Sequence, residues 1–165
     1  MVKTLQTNKQ KGGSMPLFAA CISGKRELPH AGVERCHTVL LCTLEFEDIR
    51  EVARREAFRR WPPGNGWNKH GVAWINISGT FRRQDLSSLL FAIGGIAWPY
   101  PDADTAEDGV FIMLISAHDA ASAEAQARLL ARKYFPNEAG WCGRNMDGVE
   151  VPAQVLATTF PLQIC

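Results

Sequence analysis

Trp61-Pro62-Pro63-Gly64-Asn65-Gly66-Trp67 and Phe135-Pro136-Asn137-Glu138-Ala139-Gly140-Trp141 decide how this chain is read. Both stretches run from an aromatic residue and a proline to Gly-Trp. The similarity extends outward. The first copy is preceded by an apolar strand-length run (Val39–Leu44), Asp48 and the basic residues Arg54, Arg55, Arg59 and Arg60. The second is preceded by Val110–Ile115, Asp119, Arg128, Arg132 and Lys133. Thr80-Phe81 closes one copy and Thr159-Phe160 the other. An internal repeat dictates architecture before any single motif does. Here it covers about 38–81 and 109–160.

Within the first copy, Phe46, Ile49, Ala53, Ala57 and Trp61 fall on one helical stripe from about Glu47 to Trp61. Acidic residues in its first turn and arginines in its last suit the helix dipole, and Pro62-Pro63 ends it. Asp119–Phe135 is an alanine-rich helix, with Ser116 and Asp119 spaced as a capping box. Val72–Ile77 alternates as a strand, and Pro16–Ile22 is a short strand. Leu86, Leu89, Leu90 and Ile93 predict a middle helix over Gln84–Ile93, stopped by Gly94-Gly95. A turn at Met146–Gly148 leads to Val149–Val151 and then Val155–Phe160.

Two strand–helix–strand units predict a ferredoxin-like α+β sandwich with pseudo-two-fold symmetry, carrying the middle helix as an insertion. Its main strands, Val39–Leu44 and Val110–Ile115, would be central, adjacent and parallel, with both helices on one face. A small parallel α/β sheet is the alternative, because strands and helices alternate. The segment 1–14 reads as a tag and linker or a disordered arm, and 15–165 as one domain.

No apolar run reaches the roughly 20 residues of a membrane-spanning helix. Five cysteines without paired spacing suit reduced thiols and a cytoplasmic setting. His30, Cys36, His37 and Cys42 lack the spacing of a metal site, and no phosphate-binding glycine loop precedes a helix, so no metal or cofactor is expected.

The net charge of +1 conceals an asymmetry. Eight basic residues face two acidic ones between Arg50 and Gln84, whereas Pro101–Asp119 holds five acidic residues and no Lys or Arg. Arg54, Arg55, Arg59, Arg60, Lys69, Arg82 and Arg83, interleaved with tryptophans, suit contacts to an acidic protein surface or to nucleic acid. Trp67 and Trp141 could anchor a partner, or each could plug the end of its own helix–sheet layer. These residues point to a non-catalytic binding or adaptor domain. Small sheets of this type also pair with a second copy, which makes a homodimer compatible with the plan. The alternative is a small enzyme, with Cys142 as thiol and His118-Asp119 as acid–base pair.

Overall fold

A strand stretch covered on both faces is apolar and shows no period, and two strands with such stretches, at Leu17–Ile22 and Leu90–Ala97, form the centre of this protein. The computed structural model describes residues 16–30, 32–44, 47–80, 88–101 and 107–152. Leu17–Leu28 (β1) pairs on one side with Gly32–Thr43 (β2) and on the other with Lys69–Asn76 (β3), both antiparallel. Leu89–Pro99 (β4) pairs in the same way with Gly109–Ala117 (β5) and Trp141–Glu150 (β6). The helices are Ile49–Arg60 (α1), the single turn Ile77–Thr80 (α2) and Ala120–Tyr134 (α3).

The resulting sheets, β2-β1-β3 and β5-β4-β6, stack face to face between the two long helices. Three apolar layers hold this sandwich. Ala20, Ile22 and Val72 meet Ile49, Ala53 and Ala57 of α1. Phe91, Ile93, Phe111 and Ile115 meet Ala123, Ala127 and Ala131 of α3. Leu17, Ala19, Leu90 and Ala92 fill the space between the sheets, together with Ile77 and Val151. The alanine stripes let each helix lie close on its sheet.

The ferredoxin-like arrangement, and with it the parallel alternative, is therefore wrong. Every ladder is antiparallel. Val39–Leu44 and Val110–Ile115 belong mostly to edge strands of different sheets, and the helices cover opposite outer faces. The described residues instead form two strand–strand–helix–strand units, each with its first strand at the centre of its sheet. Gln84–Ile93 is not a helix where it is described: Leu89 onward is β4. Gly94 and Gly95 are not a helix stop. A Cβ on Gly94 would stand 2.6 Å from the Cβ of Cys21 across the sheet interface, and one on Gly95 would stand 2.1 Å from the Asn145 carbonyl. The pair permits close approach at the centre of the stack. Met146–Gly148 is likewise strand, not turn. The segment 1–14 and the run Val155–Phe160 lie outside the described residues.

One end of the sheet interface is polar. Asp108 accepts from Arg35 Nε at 2.7 Å and lies 3.3 Å from Lys25 Nζ, while the Arg35 guanidinium sits 5.1 Å over Trp98. His37 Nε2 lies 3.0 Å from Asp147 Oδ2 but is not aligned for a hydrogen bond, and its side chain is only 4% exposed. Cys21 is fully buried between the sheets, and burial pushes its thiol up to about 12. No described helix is long and apolar enough to cross a membrane.

Candidate functional site

The two halves match at the level of hydrogen bonds. Asp48 caps α1 by accepting from Arg50 N at 2.8 Å, and Asp119 caps α3 by accepting from Ser122 N at 2.7 Å. The carboxylates favour the positive end of each helix. Asp119, not Ser116, is thus the cap residue of α3. At the other ends, Trp61 N–H donates to Ala57 O and Phe135 N–H to Ala131 O, each at 2.9 Å. Prolines then redirect the chain into single 3-10 turns, Pro63–Asn65 and Asn137–Ala139. Gly66 (φ 85°) and Gly140 (φ 90°) close these turns in the left-handed region that glycine adopts without strain.

Three residues beyond each Gly-Trp, a side chain donates back to the aromatic cap. His70 Nε2 lies 2.7 Å from Trp61 O, and Arg144 Nε lies 2.8 Å from Phe135 O. A carbonyl only accepts, so His70 carries its proton on Nε2. Trp67 is 7% exposed, tilted against Trp61 at 6.1 Å, with the Arg26 guanidinium 4.7 Å above it. Trp141 packs edge-on against Phe135 at 4.8 Å. Each tryptophan therefore ties its own helix end to its own sheet. Trp67 precedes β3 and Trp141 starts β6, strands that lie in different sheets, so the two indoles do not share a cleft.

The arginines of α1 are exposed but mostly engaged. Arg59 and Arg60 both bond Glu56, at 2.6 and 2.8 Å, and hold its carboxyl down at about 2. Arg55 meets Glu47 at 3.4 Å and Arg54 meets Glu51 at 3.6 Å. From Glu47 to Arg60, five arginines are matched by four carboxylates, leaving one net positive charge. The broad basic face expected from the chain thus reduces to a few groups. Lys69 begins β3 and is exposed, and Arg82 and Arg83 lie outside the described residues.

What the fold does assemble is a cleft of about 380 Å3 where α1 overhangs the edge strand β3. Arg50, Arg54 and Phe58 stand one turn apart along α1 and form its upper rim. His70, Val72 and Trp74, alternate residues of β3, form the other wall. Phe58 stacks on His70 with ring centres 4.3 Å apart. Phe58 and Trp74 nonetheless remain 43% and 41% exposed, a high value for such large apolar rings. Arg50 makes no ion pair among the described residues. Its spacing with Arg54 and Phe58 was the available signal for this ridge, and it was masked by the number of arginines around it.

His118 and Cys142 do not meet. Ala117 pairs with Leu89 at one end of β4, and Trp141 pairs with Pro99 at the other. Ten residues of extended strand, about 33 Å, separate the two ends. Among the described residues, no three His, Cys, Asp or Glu side chains converge as metal ligands. Comparison of the chain with protein-family models, with curated proteins and with solved structures finds no match.

Proposed function

We propose that this chain is a non-catalytic binding domain that holds an acidic segment of a partner protein in the cleft between α1 and β3. One observation carries the reading: Arg50, which makes no ion pair among the described residues, lines the same concave site as two half-exposed aromatic rings. A guanidinium offers two parallel donors to a carboxylate. Exposed Phe and Trp faces offer apolar area to the residue beside it, as anchor positions in protein interfaces do. Arg54 can contribute as well, since its exposed contact with Glu51 at 3.6 Å is of the kind worth at most about 1 kcal/mol. Nucleic acid suits the site less well, because backbone binding draws on many phosphate contacts and most cations here already face carboxylates.

The test uses a short peptide alternating Glu with Phe, titrated against the protein by tryptophan fluorescence. Saturable binding that weakens with salt is expected. Arg50→Glu with Arg54→Glu removes charge-assisted bonds worth about 1.5–3 kcal/mol each. The affinity should therefore fall at least tenfold. Arg59→Glu with Arg60→Glu, outside the cleft, should leave it within about twofold. Equal losses from both pairs, or tighter binding of a single-stranded oligonucleotide of equal charge, would refute the reading.

A further inference from the structure

The polar end of the space between the sheets holds a hollow of about 340 Å3, at the small end of the roughly 300–1,000 Å3 of small-molecule sites. Strand alternation builds it. On β1, Leu17 and Ala19 turn toward the other sheet, and by the same alternation so do Ser23 and Lys25. On β5, Ile112 and Leu114 do so, and Val110 with them. The inward row thus changes from apolar to polar as it leaves the core. Ser23, Lys25 and Gly71 line the hollow from one sheet, and Ile96, Asp108 and Val110 from the other.

Ser23 is 8% exposed and is the one buried polar residue among those described. Its hydroxyl bonds to no described group. The oxygen is nonetheless not sealed in, since among the described residues only His37 Nε2 is a fully enclosed polar atom without a hydrogen bond. A Cβ on Gly71 would stand 2.7 Å from the Ser23 oxygen, so glycine there keeps it uncovered. A buried hydroxyl left without a partner is costly unless something outside the fold bonds to it.

The charges around this hydroxyl are also incompletely matched. Lys25 lies 3.3 Å from Asp108, which also takes Arg35, so these three satisfy one another. Lys69 and Glu107 line the hollow too, and neither makes an ion pair among the described residues. Lys69 begins β3 in one sheet, and Glu107 leads into β5 of the other. Each wall therefore contributes one unpaired charge, and the two are of opposite sign.

We infer that this hollow binds a small zwitterion of the α-amino-acid type. Its carboxylate meets Lys69 and the Ser23 hydroxyl, its ammonium meets Glu107, and a short aliphatic side chain rests on Ile96 and Val110. A simple anion would leave Glu107 without a partner, and a simple cation would leave Lys69 so. A ligand carrying both charges matches both walls. The hollow shares Asn68 and His70 with the α1–β3 cleft but neither of its arginines, so this inference stands apart from the partner-binding reading.

The test is calorimetric titration of the full chain with L-valine, isobutylamine and isovalerate. The last two are valine without its carboxylate and without its ammonium. Saturable binding of L-valine is expected, with each analogue weaker by about tenfold or more, because each lacks one charge-assisted contact. Lys69 and Glu107 are exposed, so Lys69→Gln and Glu107→Gln should stay folded and each weaken L-valine by a similar factor. Ser23→Ala should weaken L-valine without lowering the melting temperature, since the hydroxyl it removes has no partner in the fold. Arg50→Glu with Arg54→Glu should leave L-valine binding unchanged. No saturable binding of L-valine at millimolar concentrations, an analogue that binds as tightly as valine, or unchanged affinity in both charge variants would each overturn the inference.

Discussion

Gly94→Ala tests the stacking of the two sheets at a point where their central strands approach closely. The added methyl would lie 2.6 Å from Cys21 Cβ and 3.0 Å from both Cys21 Sγ and Val39 Cγ2. Carbon atoms pack best at about 3.5–4.0 Å, so the overlap with Cys21 Cβ approaches 1 Å. Neither neighbour can swing away, because a Cβ is fixed to the backbone and Val39 is branched and packed into the interface. The sheets must separate or β4 must shift, and overpacking of this kind costs about 1–3 kcal/mol. At about 2–4 °C of melting temperature per kcal/mol for a chain of this size, the midpoint should fall by about 4–8 °C for a 2 kcal/mol loss. Thermal unfolding followed by circular dichroism reads this directly. Gly64→Ala is the control, since nothing lies within 4 Å of its added Cβ, and it should change stability by no more than about 0.5 kcal/mol. Adding Val39→Ala to Gly94→Ala should recover part of the overpacking loss, seen as a favourable coupling between the two sites. A Gly94→Ala protein melting within about 1 °C of wild type would show that the sheets do not meet face to face at Cys21.

His37 should make the fold sensitive to mild acid. Burial between the sheets lowers its affinity for a proton, and Asp147 only partly opposes this. Its folded pKa therefore lies below the unfolded value of 6.5, and the unfolded chain protonates first. The stability is intact above about 6.5 and is lost as pH falls from there through the folded pKa. Urea unfolding at pH 7.5 and pH 5 should show a smaller difference for His37→Gln than for wild type; equal differences would remove His37 as the cause. The paired helix-end bonds give a further expectation: Arg144→Gln and His70→Ala should each cost about 1–3 kcal/mol in chemical unfolding, because each leaves a cap carbonyl short of its donor. A negligible loss from both would mean that the helix ends are held by the tryptophans alone.

What could be read from the chain was local. The proline, glycine and tryptophan of each turn act within seven residues, and so their recurrence was visible and their shared geometry is found at Gly66 and Gly140. Of the two central strands, the start of β1 was visible at Pro16–Ile22, but its central place was not, and β4 was read as a helix. Leu89, Leu90 and Ile93 fit a helical stripe as well as a strand buried on both faces, and a short apolar run cannot separate the two. Gly94-Gly95 resembled a helix end because its real reason, the closeness of Cys21 and Asn145, is distant in sequence. Strand direction had no local signature either. For the candidate site, the ion pairs of Glu56 with Arg59 and Arg60 follow helical spacing and were within reach of sequence reasoning. His70 and Trp74 joined Arg50 only once the face of β3 was known.

The ladders have a bearing on how this fold comes apart. Among the described residues, the ladders of sheet β2-β1-β3 lie within Leu17–Asn76 and those of sheet β5-β4-β6 within Leu89–Glu150. Side chains across one interface, with Leu17 and Val151 in the same cluster, are what hold the halves together. Parting them breaks no strand pairing. Separation of the halves would thus bare the apolar faces of two sheets whose own ladders stay intact, so the interface between the sheets is where this fold would open first.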